Sequence, residues 1–408
     1  MMMALPLDKE RRRAKLLDLR AAQTADSYFT VMPASAMANA VSTVRVGFTE
    51  AHGMAHELKQ FPPRGVDYSF LEPTARPTRW LRSPIKGYLG RYETSDHDLI
   101  EAVLSPILTS NRWIYSLACW QEATAFSWWK FPVPRAVRGA YITRLLLQEN
   151  CKQVLFWSHA GKESLAGYGR TPNPELLQKS LVVYPAIREV PDDLVRFHDE
   201  NVHILFSGAF FRKGGVHVVD AFERAQRDYP NIHLRLCCDE KIDFHTPNAS
   251  LRSEFLNKIA RNSRITMGRV SRETMVEEVL PRTDVYALPT YVEAFGFALV
   301  EAMAFGIPVI STNYFAIPEI VEHEVCGYLI DTRRYDCERM FRGYVVNRLP
   351  ADFREWMTQS VYEYLVKLIA SSQLRKQLGS AGIAIARSKF SFATRNARML
   401  EVYRAALQ

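Results

Sequence analysis

TYVEAFGFALVEAMAFGIPVISTNYFAIPE, residues 290–319, sets two carboxylates, Glu293 and Glu301, either side of Gly296, and Gly296 stands directly before a run of good helix formers. A glycine there leaves the first backbone N–H groups of a helix without partners, pointing at whatever lies in front, and anions bind at such a terminus. Glu301 falls about five residues into the helix, hence roughly 7 Å along its axis, about the span from a diphosphate to the hydroxyls of its ribose. A carboxylate at that point accepts both hydroxyls. The competing reading is a buried strand–turn–helix connection with two surface acids.

The residues after Glu301 weigh on that choice. Ala302, Met303, Ala304, Gly306, Pro308 and Val309 continue the stretch, and the blocks Gly-Ile-Pro-Val (306–309) and Pro-Glu-Ile-Val (318–321) follow in order. In these blocks, and in a glutamate pair separated by seven residues, the chain resembles the retaining glycosyltransferases of the GT-B fold, family 4 or group 1. The resemblance implies an α/β fold of two Rossmann-like domains facing across a cleft, with a C-terminal helix crossing back to the first. It also implies roles. Glu293 faces the transferred sugar, the backbone at Phe295, Gly296, Phe297, Ala298 and Leu299 binds sugar and diphosphate, and Glu301 binds ribose.

A second block, HILFSGAFFRKGGVHVVDAFE (203–223), reads as strand, glycine-bearing turn and helix, the way a Rossmann-like unit places a phosphate loop. The resembled family carries an Arg and a Lys-Gly pair here to neutralise the donor diphosphate. Lys213 with Gly214 matches the pair. The position of the Arg is held by Ala209, and Arg212 is the nearby substitute. Taken alone, an Arg-Lys pair in a turn is a solvated charge.

Between the two blocks, IHLRLCCDE (232–240) and VYALPT (285–290) have the length and apolarity of strands buried on both faces, and SRETMVEEVLPRT (271–283) has the look of a helix. The resemblance places the nucleotide base against the loop after ITMGRV, which nominates Gly268, Arg269 and Val270. A Gly-Arg after a strand is also simply a turn. Thr312, Ile317, Pro318 and Glu319 follow the next strand, and Glu319 either touches the donor or holds its loop.

At 408 residues the chain is long enough for two domains, each burying a full core. The expected division is an N-terminal extension at 1–41, an acceptor-side domain at 42–200, a donor domain at 201–385 and a crossover helix at 386–408. Cys119, Cys151, Cys237, Cys238, Cys326 and Cys337 contain no Cys-x-x-Cys pair. That argues against a metal site or disulfide framework and for a reducing compartment. No stretch is apolar enough to span a membrane and the charged start is unlike a secretory signal, so the expectation is a cytoplasmic protein.

The first half is less family-like. After its first strand, where relatives have a Gly-Gly loop, the chain reads Thr49, Glu50, Ala51, His52, Gly53. His52, Gly53 and Glu122 are the acceptor-side candidates, each with a surface-residue alternative. Residues 76–91 hold five cations and no acid, and 126–144 hold four cations with Trp128 and Trp129. With the net charge of +8 they suit an anionic membrane face or a lipid-linked acceptor, or they are core tryptophans flanked by solvated arginines. No nucleic-acid motif accompanies them.

The resemblance therefore implies retaining transfer of a hexosyl group from a nucleoside diphosphate sugar, UDP- or GDP-linked, to an acceptor hydroxyl. The charge on the leaving diphosphate falls to Lys213 and Arg212, without a metal or other cofactor. Polysaccharide or glycolipid synthesis is the implied setting. The alternatives are a non-catalytic relative that binds a nucleotide sugar and a membrane-surface scaffold.

Overall fold

Short apolar runs with no polar face become two parallel sheets of six strands each. The first sheet contains β1 (Val44–Phe48), β2 (Val66–Phe70), β3 (Leu99–Val103), β4 (Trp113–Leu117), β5 (Cys151–Phe156) and β6 (Ser180–Val182). The second contains β7 (Val202–Ser207), β8 (Ile232–Cys237), β9 (Ile265–Met267), β10 (Val285–Leu288), β11 (Val309–Thr312) and β12 (Gly327–Ile330). The computed structural model describes residues 43–50, 53–74, 81–82, 90–124, 127–128, 134–166, 173–198, 201–246, 248–335 and 351–408. The extension 1–41, His52, most of the basic stretch 76–91, Trp129 and Cys337 lie outside the described residues. The described strands and helices all fall in one unit, Thr43–Gln408.

Strand order decides where a ligand can sit. The second sheet runs β9-β8-β7-β10-β11-β12 and the first β2-β1-β3-β4-β5-β6. Both are doubly wound. In each, the chain leaves the starting strand in one direction and later returns to its other side, which opens a crevice beyond the carboxyl ends of the two central strands. In the second sheet that switch point lies between β7 and β10, paired through Val285 with Ile204 and Tyr286 with Leu205. In the first it lies between β1 and β3, paired through Val46 with Leu99.

The helices that matter are α1 (Gly53–Gln60), α2 (Arg135–Leu146), α3 (His159–Glu163), α4 (Gly215–Ala225), α5 (Ala249–Arg261), α6 (Phe297–Ala304), α7 (Ala351–Ala370), α8 (Ser372–Lys389) and α9 (Phe392–Leu407). Residues 386–389 close α8, so the crossing to the first sheet starts at Phe390. Ser391 caps α9 through the Thr394 N–H, and the Ile187 N–H donates to the Phe390 carbonyl at 2.9 Å. On the first sheet α9 is held by a buried polar cluster. The Tyr403 hydroxyl donates to Glu101 at 2.5 Å and meets the Tyr68 hydroxyl at 2.7 Å, with Arg395 3.7 Å from the same carboxylate.

Segment 271–283 departs from the single helix its pattern suggests. It is a short α-turn at Arg272–Thr274, a π-turn at Met275–Val279 and a 3-10 turn at Leu280–Arg282. Pro281 supplies no N–H and crowds the preceding turn, so regular i to i−4 bonding cannot run through it. Among the described residues no helix is long and apolar enough to cross a membrane.

Candidate active site

The loop after β7 is built around residues without side chains and residues that must bury theirs. Gly208 has φ +94° and Gly214 φ +80°, both left-handed. A Cβ on Gly214 would stand 2.3 Å from the Pro289 carbonyl oxygen, so only glycine lets the start of α4 press against the loop after β10. Phe210 and Phe211 are fully buried, Phe210 stacking on Phe244 at 4.2 Å. The Tyr291 hydroxyl donates to the Phe211 carbonyl at 2.5 Å. With both phenylalanines anchored, Arg212 is exposed and Lys213 turns inward. The Lys213 stem runs across Gly208, 3.3 Å from where a Cβ would be.

Lys213 Nζ donates to Glu293 Oε2 at 2.9 Å, and both side chains are largely shielded, 21% and 14% exposed. This pair sits at the switch point of the second sheet. Arg212, beside Lys213, is exposed at the same turn. The Glu293 loop is braced from below: Thr312 Oγ1 donates to the Thr290 carbonyl, and Ser311 Oγ to that of Leu288 at 2.7 Å.

Gly296, φ +117°, opens α6 as the sequence suggests, and no side chain caps this terminus. Phe297 and Ala298 therefore begin the helix with free-facing amides. The Leu299 N–H donates to the Gly296 carbonyl at 2.9 Å, and the Phe295 side chain is buried against Phe297 and Phe390. Leu299 and Phe295 thus shape the terminus through packing and backbone. Glu301, one turn on, is held by both terminal nitrogens of Arg272, at 2.6 and 2.8 Å. That partner carries no sequence signal, being 29 residues upstream in the irregular 271–283 segment.

Gly268 closes the ladder by donating to Leu236 at 3.0 Å, and Val270 packs on the core. Arg269 is committed elsewhere: its guanidinium grips Asp243 at 2.9 and 3.2 Å. That bond raises its pKa above the ordinary arginine value. Arg272, two positions beyond Val270, reaches Glu301, while the Arg269 charge serves Asp243.

The first sheet meets this crevice through Trp157, which touches Phe297 edge-on at 5.7 Å between ring centroids. Glu319 reaches the same sheet's loops, accepting from the His159 and Ala160 amides. Glu122 is half-buried and accepts the Ala118 N–H at 3.1 Å, closing its own turn. Gly53 is the exposed first residue of α1, and a Cβ there would meet nothing within 4 Å. Asp96 and Asp98, spaced as an Asp-x-Asp pair, sit before β3 at the opposite end of the strands. Among the described residues no group of three or more His, Cys, Asp or Glu could hold a metal ion. A groove of about 640 Å³ between α4 and α5 lies outside the crevice. Its Lys258 is already paired with Asp220 and Glu254.

Two doubly wound sheets with a basic and acidic pair at one switch point define a protein of the GT-B fold. Residues 186–337 match the family described as Glycosyl transferases group 1. The chain is 24% identical over 196 residues to D-inositol 3-phosphate glycosyltransferase of Segniliparus rotundus, covering 48% of this chain and 38% of that protein. It is 30% identical over 231 residues to an uncharacterized glycosyltransferase of Methanocaldococcus jannaschii, covering 51% and 56%. The chain therefore spans less than two thirds of the length of either relative. Among solved structures it superposes on sucrose-phosphate synthase of Thermosynechococcus elongatus with a TM-score of 0.57 at 15% identity, over 88% of this chain and 98% of that one. It superposes on Anabaena Alr3699/HepE in complex with UDP and glucose with a TM-score of 0.55 at 15% identity, over 89% and 99%.

Proposed function

We propose that this protein is a retaining glycosyltransferase that moves a hexosyl group from a nucleoside diphosphate sugar to an acceptor hydroxyl. The observation that carries the reading is the Lys213–Glu293 contact of 2.9 Å at the switch point, beside an uncapped helix terminus with Glu301 one turn inside. In the transfer step the bond from the sugar C1 to the diphosphate oxygen breaks and its electron pair leaves with the phosphate. A new bond forms between C1 and the acceptor oxygen on the same face, and the acceptor proton passes to the leaving phosphate. The step is limited by the charge that develops on the diphosphate. Lys213 and the Phe297 and Ala298 amides stabilise that charge, and Glu293 orients the sugar hydroxyls.

Glu301 keeps free acceptor positions for a ribose while Arg272 holds it, since a carboxylate offers about four lone-pair sites and the guanidinium takes two. Lys213 exchanges part of its bond to Glu293 for the diphosphate when the donor binds. No metal or other cofactor is part of the proposed step. The nucleotides to test are UDP, present in the Anabaena complex, then GDP and ADP. The acceptor is proposed as a hydroxyl compound, with lipid-linked acceptors and an anionic membrane face included in the screen.

Calorimetric titration of UDP, GDP and ADP into the wild type, Glu301→Gln and Lys213→Ala tests the reading. One nucleotide binding the wild type and weakened by both changes supports it. No binding of any of the three would remove the donor site.

A further inference from the structure

Glu319 ends the 3-10 turn Ile317–Glu319 that follows β11 in the second sheet, yet its carboxylate is used entirely by the first. It accepts from the backbone N–H of His159 and of Ala160, each at 2.8 Å, and from the Tyr184 hydroxyl at 2.8 Å. His159 and Ala160 open α3, just beyond the carboxyl end of β5. The next amide of that turn, Gly161, is satisfied by Ser158 Oγ at 2.9 Å. Two of the first-turn donors of α3 are thus satisfied by a side chain about 160 residues further along the chain. The other end of the same residue is fixed too: Lys389 Nζ donates to the Glu319 carbonyl at 2.6 Å and lies 4.6 Å over the Tyr184 ring. Donors left behind when this carboxylate withdraws must find water instead.

The turn that carries Glu319 leads to the site. Behind it lies Phe315 at φ +49°, a left-handed conformation that a bulky residue keeps only where its surroundings over-determine it. Behind that is Thr312, bonded to the Thr290 carbonyl at the root of the Glu293 loop. A continuous chain of contacts therefore joins α3 of the first sheet to the loop bearing Glu293.

We infer that Glu319 is a positioning residue that latches the two sheets together and, through the 312–319 segment, holds the Glu293 loop in register with the first lobe. The latch stands on geometry alone; what it positions rests on the function proposed above. Solution X-ray scattering on full-length wild type, Glu319→Ala, Glu319→Gln and Tyr184→Phe, each with a thermal melt, reads it directly. The expected result is a larger radius of gyration for Glu319→Ala with a melt still cooperative, a smaller increase for Glu319→Gln, whose amide oxygen still accepts, and the least for Tyr184→Phe. Titration with UDP, GDP and ADP completes the test. The nucleotide that binds wild type should bind Glu319→Ala within about threefold, since a latch does not touch the donor.

An unchanged radius in folded Glu319→Ala overturns the inference. So does an unchanged radius with lost nucleotide binding, which would make Glu319 a donor contact. Wild type that binds none of the three nucleotides defeats the proposed function, while the scattering comparison still decides the latch.

Discussion

The two sheets follow one construction and treat their switch points in opposite ways. In the second, the residues around the crevice are left-handed glycines, Gly208, Gly214 and Gly296, and the backbone is bare where a phosphate would approach. In the first, the residue leaving β3 is Leu104, left-handed at φ +65° despite its side chain. Thr49, just beyond β1, is buried, and the Tyr92 hydroxyl donates to its carbonyl at 3.0 Å. The difference teaches that the second crevice offers bare backbone where a ligand's charge would approach, whereas the described residues bordering the first carry side chains. Each prediction below either breaks that contrast or tightens it.

The largest effect is expected at Lys213. Lys213→Ala should lower turnover of the nucleotide sugar by about 10²–10³-fold, the loss seen when one preorganised donor to a developing anion is removed, with little change in melting temperature. Kinetics with whichever donor the wild type consumes would read it. A loss below tenfold would place the charge stabilisation on the helix terminus instead.

Gly214→Ala comes next and concerns folding. It demands a left-handed alanine and drives a Cβ to 2.3 Å from the Pro289 carbonyl oxygen, and backbone on both sides leaves nothing flexible to yield. The expected cost is roughly 3 kcal/mol, read as a shifted urea midpoint. A midpoint unchanged would mean the two loops are not locked together.

In the first sheet the matching weak point is polar. Glu101 is wholly buried, and burial pushes its pKa up against the opposing pull of Arg395 and the Tyr403 hydrogen bond. Tyr403→Phe removes that hydroxyl and leaves the carboxyl short of a donor, a cost of about 1–3 kcal/mol. Because α9 is the element released, limited proteolysis should cut near its start before it cuts the second sheet.

Acid should strike the second sheet's helices. His217 is buried between α4 and α7, its Nδ1 3.3 Å from Thr358 Oγ1 and its Nε2 without a hydrogen-bond partner among the described residues. Burial lowers its pKa to about 3. The folded state then resists a proton that the unfolded chain accepts below about pH 6.5. Stability is intact above that pH and falls as pH drops toward 3, by roughly 1.4 kcal/mol per unit from this group. Denaturant melts of wild type and His217→Gln across pH 7 to 4 should differ in slope by one proton.

What the sequence makes legible follows from the same contrast. A position that must be glycine, or a cation that must follow a strand end, leaves a mark in the chain, which is why Gly296, Lys213 and the strands 232–240 and 285–290 can be read directly. Arg272 on Glu301, Asp243 on Arg269 and Trp157 on Phe297 leave none. Each is a pairing across 26 or more residues, decided by where helices and loops come to rest. The single helix suggested over 271–283 fails for a local reason, Pro281, that the apolar pattern outweighs on paper and the backbone does not allow. Glu319 shows the limit best, because the motif marks it and only the tertiary structure says which sheet it serves.

The smallest expected effect separates the two crevices most sharply. Gly53 lies beyond β1, where the family resemblance leads one to expect a glycine loop, yet it is exposed, begins α1, and has open space where a Cβ would go. Gly53→Ala should therefore be tolerated and stabilise by about 0.4–1 kcal/mol, because alanine narrows the unfolded ensemble at no steric cost in the folded one. Gly214→Ala, the same substitution at the other switch point, has the opposite sign. If Gly53→Ala leaves stability as expected but lowers turnover tenfold or more, the space above Gly53 is occupied during catalysis by a substrate. The first crevice would then also be a surface for close approach, and the contrast between the two sheets would hold for the donor-free protein alone.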